Sequence, residues 1–134
     1  MSFSRLSLAS FVLAASLLPA SFAQGQETTT DNSKWGAIAI DTKKAEKEPF
    51  YGVGGDDTEQ AASDGAMDAC KEAGGETCKT IVTYEKCGAV SVDGKGTAGW
   101  GKAVTKKDAE KQALDGCEGD SCQIVISDCN GETN

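Results

Sequence analysis

The 134-residue sequence contains no histidine, and its single arginine is Arg5. Without histidine there is no Ser-His or Cys-His nucleophile pair and no imidazole metal ligand. Without arginine beyond the first few residues there is no bidentate clamp for phosphate or carboxylate. Any catalysis would rest on Asp, Glu, Lys, Tyr or cysteine. Aromatics make up only 6% of the chain, and there are two prolines, so large side chains are too few to build a core on their own. No apolar run reaches the roughly 20 residues that a spanning helix needs.

The longest apolar run is "LSLASFVLAASLL", Leu6 to Leu18, preceded by Arg5 and followed by "PASFA". Ser21 and Ala23 occupy the small-residue positions of a cleavage site, so residues 1–23 read as a secretory signal peptide. A membrane anchor is the alternative, and the shortness of the run argues against it. No cysteine lies near the cleavage site, so lipid anchoring is not supported. Mature chain then begins at Gln24. The polar stretch "QGQETTTDNS" suits a disordered N-terminal segment over 24–34. Residues 35–130 are left as a single domain, and the protein is expected in the periplasm or the medium.

Cleavage removes Arg5 and takes the formal net charge from −8 to −9. Such a surface repels nucleic acid and anionic membranes. Expected partners are an unknown protein or cell-envelope ligand, cationic or neutral. Acidity also serves solubility alone.

The domain is an internal duplication. "TEQAASDGAMDAC" (Thr58 to Cys70) aligns without gaps on "TKKDAEKQALDGC" (Thr105 to Cys117). Upstream, "WGAIAID" from Trp35 matches "CGAVSVD" from Cys87. Downstream, "CKTIVTYEKC" from Cys78 matches "CQIVISDC" from Cys122. Repeat one covers about 35–86 and repeat two about 87–129. Each copy reads as a β-branched strand, a glycine-rich strand, a helix capped by Thr58 or Thr105, and a final strand. Asp108 completes a capping box with Thr105. Ala62, Ala66 and Cys70 share one helical face, as do Ala109, Ala113 and Cys117, and small residues there let a helix approach a sheet closely. The fold class is α+β: a duplicated β-β-α-β unit, an antiparallel sheet with two helices packed on it, and disulfides.

"GTAGWGKA", Gly96 to Ala103, comes within one hydroxyl of a phosphate-binding loop, because Ala103 stands where that loop has Ser or Thr. The repeat places its Gly-Lys in a strand, with the helix starting only at Thr105, and the matching stretch "YGVGG" has no lysine. Glycines that admit a neighbouring backbone or ring are the better reading.

Six cysteines in a short secreted chain read as disulfides, with fifteen possible pairings. The repeat favours local closure in each copy, Cys70–Cys78 and Cys117–Cys122, which leaves Cys87–Cys129. Both of these last cysteines follow the closing strand of their copy, so their bond is expected to tie the halves together. The Cys-x4-Cys spacing at Cys117 and Cys122 does not suit thioredoxin-like or zinc-ribbon chemistry. Two acidic clusters, Asp56-Asp57-Glu59 and Asp115-Glu118-Asp120, lack EF-hand spacing and suit helix ends and solvent. No catalytic, metal or cofactor residue is assigned. Trp35, Phe50, Tyr51, Tyr84 and Trp100 are expected in the core; exposed together they would form a binding patch.

"WGAIAID", "YGVGGDDTEQAA", "AMDACKEAGGETCKTIVTYEKCGAV", "GWGKA" and "CQIVISDC" together resemble a bacterial family of small secreted proteins termed domain of unknown function 4189. The resemblance covers about 35–130 and departs only at the charged insertion "KKAEKEP". It implies a duplicated cysteine-containing architecture and supplies no activity. The function expected is that of a secreted, non-enzymatic binding or inhibitory protein. An extracytoplasmic enzyme or redox protein using carboxylates or a reactive cysteine is the alternative.

Overall fold

The computed structural model describes residues 32–41, 43 and 48–131. The expected signal peptide, the polar segment up to residue 31 and most of the charged insertion lie outside them. The first half comprises β1 (Trp35–Asp41), β2 (Tyr51–Asp56), α1 (Glu59–Glu72) and β3 (Cys78–Tyr84). The second repeats the series as β4 (Cys87–Val92), β5 (Ala98–Ala103), α2 (Lys106–Asp115) and β6 (Gln123–Cys129). The strands form two antiparallel three-stranded sheets, one per half, in the orders β2-β1-β3 and β5-β4-β6. Even the irregularities are duplicated. The β1–β3 ladder slips between Ile38 and Ala39, and the β4–β6 ladder slips at the equivalent Val90–Ser91 step.

The two central strands explain the layering. Both are buried on both faces, and their side chains alternate in size. Ala37 and Ala39 of β1 pack with Ala62, Ala66 and Cys70 of α1. Ala89 of β4, beside Cys87, packs with Ala109 and Ala113 of α2. The opposite faces carry Ile38, Ile40, Val90 and Val92, which join Val82 and Tyr84 in a core between the sheets. The order of layers is therefore helix, sheet, sheet, helix. An apolar interior shared by both sheets, with a small-residue seam under each helix, is what residues 35–129 can build with few aromatics.

Glycines set the depth of each seam. A Cβ at Gly52 would lie 2.3 Å from the Ala66 carbonyl oxygen, and one at Gly101 would lie 2.2 Å from that of Ala109. Gly54 and Gly99 meet helix backbone in the same way. Gly99 and Gly101 of "GTAGWGKA" are thus the bed on which α2 rests, and Lys102 lies within β5, before the helix begins.

The helix caps follow the threonines. Thr58 Oγ1 accepts from the Ala61 N–H at 3.2 Å, and Thr105 Oγ1 accepts from the Asp108 N–H at 3.2 Å. The Thr105 hydroxyl in turn donates to Asp108 Oδ2 at 2.8 Å, closing the second cap. α1 ends through Gly74 at φ +116°, a backbone state suited to glycine. α2 ends at Gly116 with ordinary right-handed φ −81°.

The disulfides are Cys70–Cys78, Cys117–Cys122 and Cys87–Cys129. The role expected for the last is corrected. Cys87 opens β4 and lies opposite Cys129 at the end of β6, with Cα atoms 4.0 Å apart. The bond staples the first and last strands of the second half and does not join the halves. Matching the copies by their final cysteines conceals a two-residue slip. In strand register, Gly36 faces Tyr84 and Gly88 faces Asp128, so Cys87 corresponds to Trp35 and Cys129 to Glu85.

Candidate functional site

The junction of the halves lies where β3 turns into β4. Tyr84, the last residue of β3, is 1% exposed. Its ring occupies space left by two missing side chains. A Cβ at Gly36 would lie 2.3 Å from the ring, and one at Gly88 would lie 2.2 Å from it. Those glycines hold the same position in the two copies, one on each sheet. The Tyr84 hydroxyl donates to the carboxylate of Asp128, the residue that replaces tyrosine in the second copy. Burial, then the neighbouring Asp128 charge and hydrogen bond, push the Tyr84 phenol well above its ordinary range. The hydroxyl is held as a neutral donor.

Asn130 closes the same end of the molecule. Its side-chain amide donates to the Glu85 carbonyl at 3.1 Å and the Tyr84 carbonyl at 3.4 Å. Its backbone N–H donates to the Lys86 carbonyl at 2.8 Å. Two open grooves flank the turn. The smaller, about 200 Å³, runs between Glu85–Lys86 and Lys102–Val104, where β5 ends. The larger, about 440 Å³, is lined by Lys34, Trp35, Glu85, Lys86 and Asn130.

The aromatic residues divide. Tyr84 is core, as expected, and Trp35 is half-buried. Phe50, Tyr51 and Trp100 are exposed, contrary to expectation, and Trp100 is 51% accessible. Gly99 and Gly101 take the face under α2, so Trp100 shares the other face with its strand partner Val90, and because β5 is an outer strand of its sheet the ring stays half open to solvent. Val104, 77% exposed, continues the row of Trp100 and Lys102 into the smaller groove.

At the far end of the central strands, Asp41 is fully buried. It accepts from the Thr77 hydroxyl at 2.6 Å and from the N–H groups of Glu76 at 2.8 Å and Lys43 at 3.0 Å. These donors, the Thr77 hydroxyl foremost, hold its carboxyl far below the usual range. Asp93, its counterpart, instead accepts from Lys95 N–H and Thr97 N–H in the β4–β5 turn, and its pKa is also lowered, chiefly by the Lys95 bond. Both carboxylates pin loops.

All six cysteines are in disulfides. Among the described residues no three His, Cys, Asp or Glu side chains converge, and no helix is long and apolar enough to cross a membrane. Sequence reasoning missed the Tyr84–Asp128 pair and the part played by Gly36 and Gly88. The available signal was a glycine kept at one position in both copies beside a tyrosine that became aspartate.

The sequence profile of the family described as domain of unknown function (DUF4189) matches residues 35–129. The chain belongs to that family. Its boundaries coincide with the first residue of β1 and the last of β6, so the DUF4189 domain is the two-half sandwich itself. The solved structure described as the NMR structure of Rv1813c from Mycobacterium tuberculosis is similar in fold. It has a TM-score of 0.50 at 20% identity, covering 97% of this chain and 99% of that one. No curated protein sequence matches the chain significantly.

Proposed function

We propose that this DUF4189 domain is a non-enzymatic binding protein of the periplasm or medium, with its contact surface at the junction end. The observation carrying this reading is the row Trp100, Lys102 and Val104. Large apolar side chains at that exposure are unusual on an edge strand, and tryptophan is a frequent anchor of protein contacts. The row runs into a groove, and the acidic surface favours a cationic or neutral partner. Three disulfides and a leader-like N-terminus fit an oxidising compartment outside the cytoplasm. With every cysteine paired, the redox alternative has no thiolate to use. The test is capture from native envelope and medium with the mature, oxidised domain as bait. A partner retained by the parent and lost by Trp100→Ala and Val104→Ser supports the reading. A partner retained equally by both variants moves the contact elsewhere.

A further inference from the structure

We propose that Asn130–Gly131 is a site of spontaneous deamidation, and that the acid formed there loosens the clamp joining β6 to the β3–β4 turn. Gly131 has φ +74°, and nothing lies within 4 Å of where a Cβ would be. Gly131 therefore has no side chain to hinder its backbone nitrogen as it approaches the Asn130 carboxamide, and the space a side chain would fill is open. The other asparagine among the described residues, Asn32, precedes Ser33, whose side chain crowds the corresponding nitrogen.

The reaction balances without oxidant or reductant. The Gly131 nitrogen attacks Asn130 Cγ, a C–N bond forms, and the Cγ–Nδ2 bond breaks. The side-chain nitrogen leaves as ammonia and carries off the Gly131 amide proton. Water then opens the cyclic imide. Attack at Cγ gives aspartate, and attack at the backbone carbonyl gives isoaspartate, with the chain routed through Cγ.

The position gives the change a consequence. The Asn130 amide is a donor to the Tyr84 and Glu85 carbonyl oxygens. A carboxylate has no proton to give and places negative charge against two acceptors. The backbone bond from Asn130 N–H to the Lys86 carbonyl does not depend on the side chain and remains.

The test uses the full mature chain with its disulfides intact, held at physiological temperature and mildly alkaline pH. Peptide mass analysis with isoaspartate detection should show Asn130 converting severalfold faster than Asn32, and Gly131→Ala should slow it severalfold. Asn130→Asp, made directly, should raise hydrogen exchange severalfold at amides of the β3–β4 turn while β1 amides stay protected. Conversion of Asn130 no faster than Asn32 would overturn the site. Unchanged exchange in Asn130→Asp would overturn its effect on the turn.

Discussion

Tyr84 and Asp128 occupy the same position in the two copies, and the hydroxyl of one donates to the carboxylate of the other. A perfect duplication would set two tyrosines or two aspartates face to face. Two tyrosines would overfill the space that Gly36 and Gly88 leave, and two carboxylates would repel in a half-buried site. One of each fills the space and satisfies the hydroxyl. The pair makes a two-fold duplication into a single asymmetric domain, and several consequences can be measured.

The glycines under the helices should be irreplaceable, while the one inside a helix should not be. Gly101→Ala drives a Cβ into α2 backbone and is expected to cost about 1–3 kcal/mol or more, as overpacking does. Ala66→Leu and Ala113→Leu, at fully buried helix positions, should cost a similar amount. Gly65→Ala in α1 meets only Gly54 Cα at 3.7 Å, and it should stabilise by about 0.5–1 kcal/mol through helix propensity. Denaturant unfolding with the disulfides intact measures all four.

No disulfide crosses between the halves. A specific protease site placed in the Glu85–Lys86 turn and cut should therefore release two fragments under denaturing, non-reducing conditions. Fragments that stay linked until reduced would mean a different cysteine pairing.

Asp41 should make stability depend on acid. Its folded pKa lies below the unfolded value of about 3.9. Its contribution is thus fully present above that value and lost as pH falls through the folded pKa. Asp41→Asn should be less stable than the parent at neutral pH, and the gap should narrow below about pH 4. A gap independent of pH would show that the carboxylate charge is not what the loop donors bind.

Tyr84 should act at the other extreme. Its folded pKa is raised, so its contribution is complete below the unfolded tyrosine value of about 10 and is lost as pH rises above it. Its phenolate absorbance should appear together with alkaline unfolding. Ionisation of Tyr84 in a still-folded chain, identified by its absence in Tyr84→Phe, would contradict the burial and the Asp128 contact.

Much of the architecture was legible because duplication repeats local signals. Thr58 and Thr105, the alanine faces and the glycine strands each appear twice at one spacing, and each has a local physical meaning. The division into two sheets was not legible, since nothing in the β-strand pattern distinguishes one six-stranded sheet from two facing ones when the central strands are buried on both sides. Glu59, expected at a helix end and in solvent, is exposed at the start of α1, but it also has a partner. In the structure the Thr83 hydroxyl donates to its carboxylate at 2.6 Å, a contact 24 residues away in sequence that helix periodicity does not carry. Size alone predicts a core position for Trp100, whereas its place on the outer strand β5 leaves the ring exposed. The junction depends on long-range partners, Gly36, Gly88, Tyr84 and Asp128, and only the β-strand register brings them together.

Tyr84 and Asp128, one on each sheet, act as one unit joining them. A double-mutant cycle in denaturant unfolding, with Tyr84→Phe, Asp128→Ala and both together, tests it most directly. The expected coupling is about 0.5–3 kcal/mol, the range for residues in direct contact. Additive effects would contradict it and leave the sheets held by apolar packing alone.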